Sequence, residues 1–162
     1  MSKAVIGKPA PAFNLPATGE KSVRLSSLKG CHVVVYFYPR DATPGCTTES
    51  RDFRDAQSKF GKIDTVILGI SQDPIKSHEK FHSKENLNFD LLSDESGEVC
   101  RKYGVLKMKK MYGKEFEGIE RSTFLIDANG KLQALWRKVK VPGHVDEVLT
   151  TVKNLNKQTQ PD

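Results

Sequence analysis

The 162-residue sequence predicts an α/β fold in which helices cover both faces of a central mixed sheet. Two strongly apolar runs, at 33–38 and 65–71, enclose a polar segment with helical spacing. Later in the chain, two more apolar runs flank Asn129-Gly130. A closing segment carries apolar residues on one helical face.

The first run, Val33-Val34-Val35-Tyr36-Phe37-Tyr38, is β-branched and aromatic throughout and is closed by Pro39. Being apolar on both faces, it predicts a central strand. Phe53, Ala56 and Phe60 then recur at helical spacing ahead of the second strand, Thr65-Val66-Ile67-Leu68-Gly69-Ile70-Ser71, which completes a β-α-β unit. A polar helix is expected over 75–85, a short strand over 89–92 and a helical turn over 97–103. Asn129-Gly130 joins strands at 122–127 and 131–136, since Asn-Gly suits the left-handed turn of a hairpin. Apolar residues at 145, 148, 149, 152 and 155 predict a final helix over 145–156. One domain spanning 1–156 is expected, followed by a polar tail at 157–162.

Composition narrows the function classes. With 37% hydrophobic and 28% charged residues, the chain is neither a disordered nor a fibrous sequence. No apolar run approaches the ~20 residues that span a bilayer, and 1–9 lacks the apolar centre of a secretory signal, so no membrane partner and a cytoplasmic address are expected. Three cysteines, Cys31, Cys46 and Cys100, have no paired spacing and are expected to be reduced thiols. The net charge of +6 is spread along the chain. Lys107, Lys109, Lys110, Lys114, Arg137, Lys138 and Lys140 read as a solvated basic surface, and no nucleic-acid partner is expected.

The segment Thr43-Pro44-Gly45-Cys46 follows the central strand and reads as an N-cap threonine, a proline at the first helical position and a cysteine in the first turn. Backbone N–H groups there lack intrahelical partners and favour an anion, and a thiolate is such an anion. Cys46, Phe53 and Phe60 recur every seven residues, which turns the sulfur toward the core. Shielding disfavours a charged sulfur, so a nearby cation would help. On these residues alone, a nucleophile and a small core thiol both fit.

The words around Cys46 extend this reading. Pro39-Arg40-Asp41-Ala42-Thr43-Pro44-Gly45-Cys46 resembles the Pro-x-x-x-Thr-x-x-Cys signature of peroxiredoxins, in particular the bacterioferritin-comigratory, or Q-type, subfamily. The stretches 7–13, 111–114 and 118–126 resemble other segments of that family, in the same order. The order of elements is that of a thioredoxin-like fold, here with an N-terminal extension. The resemblance implies that Cys46 is the peroxidatic cysteine, that Thr43 orients the peroxide, that Pro39 shields the pocket and that Arg121 is the cation. It implies a peroxidase that reduces hydrogen peroxide and organic hydroperoxides through a Cys46 sulfenic acid, recycled by thioredoxin or a glutathione/glutaredoxin-type thiol. No cofactor, metal or haem is implied, and a monomer is expected. Glu49 is expected to lie inward, close to Arg121.

The chain departs from the subfamily at both usual sites of a resolving cysteine, which here hold Arg51 and His82. Cys100 is therefore the candidate resolver, with direct attack by an external thiol the favoured scheme. Cys31, His32 and His144 read as structural. Two other activities compete. A thioredoxin-type disulfide oxidoreductase needs C-x-x-C, but Glu49 stands three residues after Cys46. His78-Glu79-Lys80-Phe81-His82 matches the H-E-x-x-H zinc motif, yet the lysines around it predict a solvated helix face.

Overall fold

The computed structural model describes residues 2–159. The chain enters through a hairpin of β1 (Asn14–Ala17) and β2 (Lys21–Arg24), then a 3-10 turn over Leu25–Leu28. β3 (His32–Phe37), α1 (Pro44–Gly61) and β4 (Thr65–Ser71) form the expected β-α-β unit. α2 (Ile75–Lys84), β5 (Asp90–Ser93) and α3 (Glu98–Lys102) follow. A separate two-stranded ribbon, β6 (Leu106–Met111) and β7 (Lys114–Ile119), precedes β8 (Ser122–Ile126), β9 (Leu132–Trp136) and α4 (His144–Thr159).

The main sheet has seven strands in the order β2-β1-β5-β4-β3-β8-β9. β3 pairs in parallel with β4 and antiparallel with β8, so the most apolar strand is indeed interior. Successive side chains of a strand point to opposite faces, and β3 accordingly feeds two cores. Val33, Val35 and Phe37 pack with Phe13, Val99, Cys100, Tyr103 and Phe124 on one face. Val34, Tyr36 and Tyr38 pack on the other with Cys46, Phe53 and Phe60 of α1, Phe81 of α2 and Val148 of α4. The face to which a cysteine belongs therefore decides which cysteines can meet.

Two hairpins lie outside the expected elements. β1 contains Pro16, which reads as a strand breaker but is accommodated near the sheet edge, paired with Ser22. β6 and β7 alternate without an apolar period because most of their side chains are exposed. The closing helix runs through Thr159, so 157–159 continue the helix rather than form the expected tail, and 160–162 lie outside the described residues. Among the described residues, no helix is long and apolar enough to cross a membrane.

Candidate active site

β3 delivers the chain to a short loop that ends at Thr43, whose extended backbone (φ −83°, ψ 152°) makes it the N-cap residue of α1. The expected side-chain cap is not made. The Thr43 hydroxyl donates instead to the Arg40 carbonyl at 2.8 Å, while the Thr43 carbonyl accepts from the Thr47 N–H at 2.9 Å. With its hydrogen committed to Arg40, the hydroxyl oxygen keeps its lone pairs for another donor. Pro39 sits half-buried at the start of this loop.

Cys46 occupies the first turn of α1 and is 0% exposed. The cation that its burial calls for is Arg121, whose Nη2 donates to Cys46 Sγ at 3.4 Å. Arg121 directly precedes β8, the antiparallel neighbour of β3, so the sheet brings residues 75 positions apart into contact. Gly45 permits the approach, because a Cβ there would lie 3.0 Å from Arg121 Nη2. The second arm of the guanidinium, Nη1, donates to Glu49 Oε1 at 2.7 Å. Glu49 lies one helical turn beyond Cys46 on the inward face, as its spacing predicts, and is 0% exposed.

The charges of this trio are interdependent. Burial pushes the Glu49 carboxyl up to about 7 although Arg121 pulls the other way, and its Oε2 has no hydrogen-bond partner. Burial opposes the charge on Arg121, but Glu49 and the Cys46 sulfur outweigh it and hold the guanidinium more firmly protonated. A second cation, Lys109 of β6, is half-buried and donates to the Ile119 carbonyl at 2.6 Å. Burial and Arg121 lower its pKa, while the Cys46 charge raises it. Sequence reading passed over Lys109 as one of many basic residues. Its only signal was its place between the 97–103 turn and the segment that ends in Arg121.

A family model described as the AhpC/TSA family matches residues 6–135. The chain belongs to the AhpC/TSA family. Among similar AhpC/TSA relatives, a putative peroxiredoxin Bcp of Coxiella burnetii is 51% identical over 89% of this chain and 95% of its own length. Peroxiredoxin Bcp of Bacillus subtilis is 49% identical, covering 94% and 98%. A solved structure of Xanthomonas campestris peroxiredoxin Q superposes with a TM-score of 0.88 at 44% identity, covering 96% of this chain and 99% of that one. The thioredoxin-like fold is that of this family, and within it the chain groups with the bacterioferritin-comigratory, or Q-type, peroxiredoxins.

Other candidates of this AhpC/TSA chain fall away from the trio. Cys100 is 0% exposed, but it belongs to the core on the opposite face of the sheet from Cys46. Burial and the neighbouring Asp94 push its thiol pKa far up. The candidate resolver is therefore misplaced, with the sheet standing between the two sulfurs. Cys31 is half-buried and lines a cavity of about 650 Å³ away from Arg121. Arg51 pairs with Glu85, and His82 lines the same cavity as Cys31. His144 is buried, with Nε2 2.7 Å from Thr123 Oγ1, and burial lowers its pKa.

The H-E-x-x-H segment needs a correction. His78 does not lie on a solvated face but is 0% exposed, facing Asp41 through Nδ1 at 2.7 Å and the Leu92 carbonyl through Nε2 at 2.9 Å. Both ring nitrogens are thus engaged without His82, which removes the basis of a two-histidine zinc site. The lysines reflect only the outer face of an amphipathic helix whose inner face carries His78 and Phe81.

Proposed function

We propose that this protein is a thiol-dependent peroxidase that reduces hydrogen peroxide and organic hydroperoxides, with Cys46 as its nucleophile. The observation that carries the reading is the contact of Arg121 with a sulfur buried in the first turn of α1, beside a threonine hydroxyl whose proton is already committed. A solved relative, the bacterioferritin comigratory protein of Xanthomonas campestris, is described by its alkyl peroxide reduction activity, and the chain is 44% identical to it.

The Cys46 thiolate attacks one peroxide oxygen, the O–O bond breaks, and water or an alcohol leaves after taking a proton. Arg121 and the helix-start N–H groups stabilise negative charge on sulfur and on the departing oxygen. The Thr43 oxygen accepts the hydroperoxide O–H, which sets the attack line. Thr43→Val, which keeps the shape and removes the acceptor, is expected to lower kcat/KM for peroxide by about 100-fold, as misalignment does, with a small change in urea midpoint. A kcat/KM within threefold of wild type would show that Thr43 does not orient the peroxide.

The product is a sulfenic acid on Cys46. One thiol condenses with it, releasing water and forming a mixed disulfide, and a second thiol displaces Cys46 and leaves as a disulfide. Thioredoxin or a glutathione/glutaredoxin-type thiol would supply these electrons. The separation of Cys100 from Cys46 by the sheet supports this one-cysteine scheme. We place the activity in the cytoplasm, where three free thiols stay reduced, and in a monomer.

The test is to treat the reduced protein with one equivalent of hydrogen peroxide, trap sulfenic acid with dimedone and map the adduct, with Cys46→Ser as the blank. The adduct is expected on Cys46 alone, and an adduct confined to Cys31 or Cys100 would overturn the assignment. Cys100→Ala is expected to keep the wild-type turnover with thioredoxin or glutathione. A loss of turnover in a folded variant would restore Cys100 as resolver.

A further inference from the structure

The loop between β3 and α1 has a feature that peroxide chemistry alone does not require. Ala42, immediately before Thr43, sits at φ +62°, in the left-handed region. A residue with a Cβ is strained there, so something must hold it. Two sets of bonds do. On the outer side, the Thr43 hydroxyl binds the Arg40 carbonyl. On the inner side, Asp41 is gripped on its carboxylate and on its backbone.

Asp41 Oδ1 accepts from the Tyr38 hydroxyl at 2.6 Å. Its Oδ2 accepts from the Ser77 hydroxyl at 2.8 Å and is hydrogen-bonded to His78 Nδ1 at 2.7 Å. The Asp41 backbone N–H donates to Asp73 Oδ2 at 2.8 Å, and that oxygen also accepts from the Ser71 hydroxyl at 2.6 Å. His78 reaches Asp41 from α2, and its Nε2 lies 2.9 Å from the Leu92 carbonyl on β5. The Leu92 carbonyl can only accept, so Nε2 carries a hydrogen. Burial pushes the Asp41 carboxyl up, but His78, together with the hydrogen bonds from Tyr38 and Ser77, outweighs this and holds it below its usual value.

We propose that His78 is a positioning residue for peroxide reduction: through Asp41 it pins the strained turn at Ala42, and so fixes Thr43 and the first turn of α1 around Cys46. The inference rests on Cys46 being the nucleophile, and it assigns a role to α2, which otherwise stands outside the site. The H-E-x-x-H segment thereby acquires a function without a metal, through its first histidine.

Four variants test it: His78→Leu, His78→Asn, whose amide can replace Nδ1 toward Asp41, His78→Gln, whose amide can replace Nε2 toward Leu92, and Ser77→Ala. Two quantities are measured under native conditions, kcat/KM for hydrogen peroxide and the rate at which iodoacetamide alkylates the Cys46 peptide. His78→Leu and His78→Gln are expected to lose about tenfold or more in kcat/KM, a fraction of what a 1 Å misplacement costs. Their Cys46 should be alkylated several-fold faster, because the turn over the buried sulfur opens. His78→Asn should recover most of both, although its stability falls as in His78→Gln. Equal behaviour of the Asn and Gln variants, or a His78→Leu enzyme with wild-type values, would overturn the proposal. Should His78→Leu not fold, Ser77→Ala removes one donor to Asp41 and is expected to shift both readouts in the same directions by about two- to fivefold; unchanged values would count against the clamp. If the wild type itself consumed no peroxide, the function assignment would fail, while the alkylation rates would still decide for or against the clamp.

Discussion

Replacing Arg121 with leucine is expected to lower kcat/KM for peroxide by about 100- to 1,000-fold, the range found when one donor to a developing oxyanion is removed. Arg121 is the side chain whose cation touches Cys46 Sγ, and no other donor to that sulfur is seen among the described residues. Leucine also leaves Glu49 fully buried without its cation. Breaking a buried pair commonly costs about 3–5 kcal/mol, but this carboxyl already sits at about 7 and can escape by taking a proton. The stability loss should therefore be small at pH 5 and large at pH 8 in urea unfolding. Arg121→Lys should recover little, because one ammonium cannot bridge Glu49 and the sulfur as the two guanidinium arms do. A leucine variant within threefold of wild type would remove Arg121 from the mechanism.

Glu49→Gln should produce the largest pH effect. In the folded protein the Glu49 carboxyl holds its proton up to about 7, against an ordinary 4.5. Between these values the folded state binds more protons than the unfolded one, so stability falls as pH rises. The contribution is fully present below 4.5 and gone above about 7, and that interval corresponds to about 3 kcal/mol. Glutamine cannot titrate and still accepts from Arg121. The wild type should therefore lose stability relative to Glu49→Gln between pH 4.5 and 7.5, with parallel curves outside that window. Parallel curves throughout would mean that Glu49 is ionised as usual. In kinetics, a step near pH 7 in kcat/KM should vanish in the glutamine variant, since the carboxylate shares the charge of Arg121 with the sulfur only above that pH.

What could be read from the sequence follows from how local each signal is. β3, β4 and α1 announce themselves through apolar runs rich in β-branched residues and a Thr-Pro helix start, and Asn129-Gly130 suffices for the β8–β9 hairpin. Glu49 was within reach because a spacing of three places it on the face of Cys46. The β6–β7 ribbon was not, because its turn uses Tyr112-Gly113, both at positive φ, between strands with no buried period. Arg121 could be singled out only by resemblance, since its contact with Cys46 depends on the pairing of β8 with β3. His78 was misread for the same reason. Its partner Asp41 lies 37 residues earlier, and only the closed sheet shows that the lysine-bearing helix turns this one histidine inward.

The complete enclosure of the Cys46 sulfur means that every reagent reaches it only through an opening. A peroxide needs only a small opening to reach it, whereas a thiol carried on a peptide or a protein needs the first turn of α1 to give way. With Cys46 as the nucleophile, its sulfenic acid would face two competitors with unequal access, a second peroxide that passes through a small opening and a reductant that needs a larger one. Catalysis would then persist while peroxide is scarce and give way to sulfinic acid when it is not. Because sulfinic acid is not reversed, the dead fraction would grow with every exposure, and most steeply at high peroxide.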